Sequence, residues 1–505
     1  MSNQSKSAPL RSILHPRSAR AWLERLWPAI AERGRKFAPI PAIDINPLER
    51  ARQLAASLLS ERGEAAGAAI ARELLAVLGT LEHEQRGSFY AYLAEAFEPD
   101  AEALKAAANA YLTEPSADTA AVLAERAEPP RQELMRRINM AQGGTAALVR
   151  IRKELPAHMG AHPELKRVDA DLKHLFSSWF NRGFLEMRQI DWQTPAAILE
   201  KLIAYEAVHE IQGWDDLRRR LAADRRCFAF FHPALPGDPL IFVEVALVKG
   251  LAGSVRALLE RDTDEAAQLR RANEADTAIF YSISNCQDGL RGISFGNFLI
   301  KQVVEELRIG LPWIQQFSTL SPVPGFRRWL GARLKANDLP GFMLSEAEGS
   351  ALFSATGMPY EAERPLACVR AAVSNESWVN MSAFAQALRP ALARLCAMYL
   401  TESGIGGWRP DSVAKFHLGN GARLERINWM GNPGKRGLDE SYGIMVNYLY
   451  DPSTIEANHE AFTKEGVVAC SDAVTALRAP ATGVPAMPKL AFTTRRGKKS
   501  QDQSD

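Results

Sequence analysis

The sequence has no apolar run long enough for a transmembrane helix, so no membrane is expected as a partner. Cysteine is scarce: Cys227, Cys286, Cys368, Cys396 and Cys470 are scattered through 505 residues without CxxC spacing. That pattern implies neither a disulfide framework nor a zinc site, and it fits a reducing compartment. Excess charge of either sign is missing too, since 61 Lys and Arg against 59 Asp and Glu leave a net charge of +2. Without bulk basicity there is no electrostatic footprint for nucleic acid. Two phosphate-loop signatures are also absent. No G-x-G-x-x-G occurs and no G-x-x-x-x-G-K-[ST], of which Gly434-Lys435-Arg436 is a fragment.

What remains is a soluble globular composition, 47% hydrophobic and 24% charged, in a chain too long for one ordinary core. Two domains are expected, in an α+β arrangement: a helical bundle over residues 1–190 and a mixed α/β domain over 191–490. A basic, polar, solvated tail follows over 491–505. The first twenty-odd residues hold Lys6, Arg11, Arg17 and Arg20 with no acid before Glu24. This resembles a mitochondrial presequence, placing the chain in the matrix. A disordered basic start of a cytoplasmic protein is the reading we adopt.

From about Pro47 the chain is rich in Ala and Leu, with apolar stripes such as Leu54, Leu58, Leu59 and Ile70, Leu74, Leu75, Leu78. Breaks at Glu98-Pro99-Asp100, Glu114-Pro115-Ser116, Pro129-Pro130 and Gly143-Gly144 predict short antiparallel helices. After Asp191 strand-like runs appear at Cys227–Phe231, Leu240–Val248 and Thr277–Ser284. Helical texture returns between Leu330 and Leu400. Beyond it, Asn420-Gly421 after His417 suggests a strand pair.

The centre of the chain is the stretch from Thr277 to Trp329. A β-type run leads through a polar loop into Arg291-Gly292-Ile293-Ser294-Phe295-Gly296-Asn297. A helix from Phe298 follows, with Leu299, Ile300, Val303, Val304 and Leu307 at helical spacing. Gly310-Leu311-Pro312 stops it before a second strand. Glycines let a backbone approach an anion, and the first amides of the helix lie at the positive end of its dipole. The unit therefore reads as a seat for a pyrophosphate, with Arg291 in support. A plain tight turn before an amphipathic helix is the alternative. Gly292-Ile293-Ser294-Phe295-Gly296 also matches the G-x-S-x-G elbow of α/β-hydrolases, although a polar loop separates it from its strand.

The segments FYSISNCQDGLRGISFGNFLIKQVVEEL, FSTLSPVPGFRRWL, FHLGNGARLERINWM and SYGIMVNYLY resemble the malonyl-CoA decarboxylase family. The likeness is strongest from about Trp192 to Tyr450. The resemblance implies a GNAT-like catalytic domain in which Arg291–Asn297 holds the CoA pyrophosphate. It also implies a helical domain that contributes to self-association, as a dimer or tetramer. Arg291 and Asn297 depart from some relatives, which bears on CoA affinity rather than reaction class.

Decarboxylating a malonyl thioester needs no added cofactor, because the thioester carbonyl accepts the electrons as an enolate. Malonyl-CoA and acetyl-CoA are then the small-molecule partners, and no metal is expected. The resemblance places the family's catalytic serine and histidine on Ser321 and His417. Ser321 sits in a loop stiffened by Pro322 and Pro324. Taken alone, Ser321 reads as a turn serine and His417 as a core histidine. Tyr450, with Asn447 and Tyr448 behind it, matches a segment lining the acyl end of the pocket. Two other activities share these features: a CoA-dependent N-acetyltransferase, and an acyl esterase using Ser294.

Overall fold

The computed structural model describes residues 45–60, 64–293, 299–357, 364–374, 376–401 and 411–478. The basic N-terminal start, Ser294–Asn297 of the glycine loop and the 491–505 tail lie outside the described residues. The chain forms two compact units: residues 1–245 with 282–309, and residues 246–281 with 310–505. Among the described residues no helix is long and apolar enough to cross a membrane.

The first unit begins as helices whose ends follow local chemistry. Asp100 accepts the amides of Glu102 and Ala103 to open the helix Ala101–Thr113. Ser116 and Thr119 form a reciprocal cap on Ala117–Ala127. Pro130 occupies the first turn of Pro130–Met140, where a missing N–H costs nothing. The stripes read from the sequence turn inward: Leu54, Leu58, Ile70, Leu74, Phe89, Leu93, Leu172 and Phe176 are all buried. Arg131 is buried with them and donates to Asp171.

The same unit carries the first strands. β1 (Glu186–Ile190) pairs antiparallel with β2 (Arg225–Phe231), Glu186 facing Phe231 and Ile190 facing Cys227. β3 (Pro239–Val248) follows β2 in the sheet, and β4 (Thr277–Asn285) follows β3. Leu199, Leu202, Leu217, Cys227, Phe231 and Phe242 form the apolar cluster that helices and strands share. β1 lies in the stretch read as helical and was not anticipated. β2, β3 and β4 coincide with the three runs read as strands.

In the second unit, β5 (Gln316–Thr319) runs parallel to β4, with Thr277 facing Gln316 and Phe280 facing Thr319. In sequence the helix Leu299–Gly310 comes between them, its residues up to Ile309 belonging to the first unit; it buries the five apolar residues identified from their spacing and ends at Gly310. This is the predicted strand–loop–helix–strand unit. β6 (Ser321–Pro322) and β7 (Arg423–Asn428) both pair antiparallel with β8 (Met445–Leu449), and β8 also pairs with β5. The helical texture expected between Leu330 and Leu400 takes the form of the helices Phe326–Ala336, Glu346–Thr356, Pro365–Ser374 and Ser382–Thr401. An all-α stretch followed by a mixed sheet with its helices is an α+β fold, as predicted.

One local expectation is overturned. Asn420-Gly421 does not turn one strand into another, because His417 lies in the helix Ser412–Gly419, which Asp411 caps by accepting the Ala414 amide. Asn420-Gly421 ends that helix. Gly421 has φ +82°, and a Cβ there would fall 2.0 Å from the Ile455 carbonyl oxygen, so glycine is required.

Candidate active site

Four segments of the second unit deliver polar side chains to one buried place. β5 ends at Thr319, and the Leu320 amide donates to the Phe280 carbonyl. Ser321 then opens β6 opposite Val446, with its backbone direction limited by Pro322. The helix Ser412–Gly419 presents His417 from its last turn. β8 supplies Asn447 and Tyr448, and Tyr450 follows it, its amide held at 2.8 Å by the Phe317 carbonyl. All six side chains are buried.

The hydrogen bonds run as a single directed chain. His417 Nδ1 lies 2.8 Å from the Tyr450 hydroxyl, and His417 Nε2 lies 3.0 Å from Ser321 Oγ. Ser321 Oγ donates to Thr319 Oγ1 at 2.8 Å, and that oxygen also accepts the Tyr448 amide at 3.2 Å. Burial pushes the His417 pKa down to about 3, so the imidazole is neutral and carries one proton. Burial also raises the Tyr450 phenol well above its ordinary value, keeping it protonated. Ser321 spends its proton on Thr319, so it accepts from Nε2–H, and Nδ1, without a proton, accepts from the Tyr450 hydroxyl. The imidazole proton therefore resides on Nε2 and points at Ser321. The order is Tyr450 to His417 to Ser321 to Thr319.

The neighbours divide into those that touch this chain and those that hold its frame. The Tyr448 ring stacks on the imidazole, centroids 4.7 Å apart and 24° between planes, and its buried hydroxyl has no partner among the described residues. Asn447 is fully engaged elsewhere. Its oxygen accepts from Arg426 Nε and Asn428 Nδ2, and its nitrogen donates to the Ala252 and Thr319 carbonyls. With all its hydrogen-bonding capacity used, Asn447 braces the strand that carries the site. Thr319 is the residue that sequence reading missed. Its partners are two residues away and on another strand, a pairing with no sequence signature.

The glycine loop belongs to the first unit. Arg291 is exposed, with its guanidinium 3.7 Å from Asp288. Gly292 has φ +78°, and Ile293 is buried. The amides of Arg291 and Ile293 donate within the turn, to Asp288 and Leu290. Gly292 N–H has no partner among the described residues. Among those residues no group of three His, Cys, Asp or Glu is placed to hold a metal ion. All five cysteines are free.

A mixed sheet carrying a buried serine–histidine–tyrosine chain has the equipment of an enzyme that moves protons. Comparison with known proteins narrows that class. Residues 183–487 match the malonyl-CoA decarboxylase C-terminal domain, and residues 97–180 match the corresponding N-terminal domain. Mitochondrial malonyl-CoA decarboxylase of Anser anser anser is 38% identical over 341 residues, covering 66% of each protein. The Rattus norvegicus enzyme is 34% identical over 391 residues, 74% of this chain and 77% of that one. Crystal structures of malonyl-CoA decarboxylases from Rhodopseudomonas palustris and Agrobacterium vitis are 46% and 48% identical, with TM-scores of 0.72 and 0.74. They cover 85% of this chain and 98% and 99% of their own. The chain belongs to the malonyl-CoA decarboxylase family, and is a decarboxylase.

Proposed function

We propose that the chain converts malonyl-CoA to acetyl-CoA and CO2 through a thioester enolate, with Ser321 and His417 as the catalytic pair. The observation that carries this reading is the buried hydrogen-bond chain joining Tyr450, His417, Ser321 and Thr319, given its direction by the Ser321 proton on Thr319. A serine nucleophile needs an imidazole nitrogen without a proton facing its hydroxyl. Here the nitrogen facing Ser321 carries the proton, and the serine proton goes to Thr319. That polarity suits donation toward a substrate rather than nucleophilic attack by Ser321.

Binding releases no electrons by itself; the Cα–carboxylate bond must break, CO2 leaves, and the electron pair passes into the thioester as an enolate. Donors aimed at the enolate oxygen stabilise that charge, and loss of one such donor commonly costs ~3–4 kcal/mol. Ser321 and His417 Nε2–H are the donors available. The α-carbon then takes the Ser321 proton, Ser321 is refilled from Nε2, and Nδ1 takes the Tyr450 proton. The carbanion is a much stronger base than a phenolate, so this transfer runs downhill, and solvent reprotonates Tyr450 once product leaves. The phosphates of CoA fall to the glycine loop at Arg291–Asn297.

The test is direct. Purified protein incubated with malonyl-CoA alone should release CO2 and acetyl-CoA, and in D2O the product methyl group should carry one deuterium. Activity that appears only with an amine acceptor would make the chain an N-acetyltransferase instead.

A further inference from the structure

The glycine turn of the first unit is fastened to the helix Gly144–His158. A Cβ at Gly289 would fall 2.0 Å from the Val149 carbonyl oxygen, so the turn packs backbone to backbone. Arg152, buried, ties the same joint by donating to the Gly289 carbonyl and to Asp169, both at 2.9 Å. Beside the joint opens a cavity of about 520 Å³, walled by Lys153, Pro156, Met159, Asp288 and Arg291. Lys153 Nζ lies 3.2 Å from Asp288, and both are more than half exposed. The Lys173 ammonium stands 3.8 Å from where a Gly292 Cβ would be, with no ion-pair partner among the described residues. Arg152, Lys153 and Arg291 line the cavity with Asp169 and Asp288, leaving positive charge in excess around an apolar floor, and Lys173 adds a further cation beside Gly292.

We propose that this cavity binds the phosphorylated adenosine end of the CoA thioester, so that the helical bundle supplies part of the substrate site. The proposal rests on the CoA-thioester reading above. The cavity lies within the ~300–1,000 Å³ usual for small-molecule sites. Pro156 and Met159 offer a flat apolar and polarisable surface to a purine. The 3′-phosphate brings nearly two charges and three acceptor oxygens, so it outcompetes the single carboxylate of Asp288 for Lys153 and Arg291.

Three measurements on the full chain test this: KM for malonyl-CoA, KM for malonyl-pantetheine, and binding of adenosine 3′,5′-bisphosphate by calorimetry. The double variant Lys153→Ala, Lys173→Ala should raise KM for malonyl-CoA about tenfold or more and weaken the bisphosphate equally, leaving malonyl-pantetheine unaffected. Asp288→Asn should act in the opposite direction, lowering KM for malonyl-CoA, because it releases both cations. An equal shift for malonyl-pantetheine, or no shift at all, overturns the proposal. So does wild-type binding of inorganic phosphate or adenosine 5′-monophosphate as tight as the bisphosphate. Should the wild type bind the bisphosphate through these lysines yet fail to decarboxylate malonyl-CoA, the functional reading fails and the nucleotide site stands.

Discussion

Around Ser321 the chain buries its polar side chains and gives nearly every one a partner of its own. Around Gly292 it leaves charges in water: Arg291 is 86% exposed and Lys153 58%. The first place has no side chain in the charged state, since His417 is neutral and Tyr450 is protonated. The second is held by ion pairs that an incoming anion can exchange. The contrast follows from what each place is proposed to do. A developing enolate is stabilised best by fixed dipoles in a dry pocket, where no solvent must reorganise. A phosphate arrives hydrated and is best met by exposed cations that cost little to desolvate.

The contrast breaks first at Ser321 and His417, the pair proposed to react. Ser321→Ala and His417→Ala should each lower kcat by ~10²–10⁴-fold with little change in KM. Because the two act through one hydrogen bond, the double variant should cost little more than the worse single change. Rate measurements on the four proteins decide this, and clean multiplication of the two defects would show that they act separately.

Next in size come the two residues that set the polarity of the chain. Thr319→Val removes the acceptor for Ser321, and Tyr450→Phe removes the proton that fixes the imidazole tautomer. Each should lower kcat by about tenfold, the scale of one lost hydrogen bond to a positioned group. Thr319→Ser should restore most of the rate. A Tyr450→Phe variant that also reacted with a serine-directed fluorophosphonate at Ser321 would show that the tautomer alone withholds nucleophilic character. A Thr319→Ser variant as slow as Thr319→Val would instead point to packing of the threonine methyl.

Much of this was legible in the sequence, for identifiable reasons. The parallel β4–helix–β5 unit announced itself because Leu299, Ile300, Val303, Val304 and Leu307 repeat at 3.6 residues and glycine ends the run. The family resemblance singled out Ser321 and His417, and the two lie 3.0 Å apart. The helix under His417 was not legible. It is eight residues long, and Asn-Gly is both a hairpin turn and a helix C-terminus. β1 escaped notice because it is a charged edge strand, Glu-Met-Arg-Gln-Ile, with no alternation to betray it. Thr319 could not have been found. An acceptor whose partner is a main-chain amide 129 residues away leaves no trace in residue order.

The smallest effect, and the one that separates burial from chemistry, lies in the pH dependence of stability. His417 has its pKa lowered from the ordinary 6.5 to about 3 by burial. Between those values the unfolded chain binds a proton at His417 and the folded chain does not. Stability therefore rises with pH through this window and is level above about 6.5. Going down from pH 7 to pH 5, this residue should remove roughly 2 kcal/mol, at about 1.4 kcal/mol per unit below 6.5. His158 and His232 are also depressed by burial and contribute slopes of their own, so the wild type alone is not diagnostic. The difference from His417→Gln is: the variant loses stability at pH 7 through poorer packing, yet its acid loss should be shallower by one proton. Thermal unfolding of both proteins at half-unit steps from pH 7 to pH 5 measures that difference. Parallel curves would mean that His417 takes up its proton over the same pH range folded as unfolded, and the burial-depressed, proton-refusing imidazole would have to be abandoned.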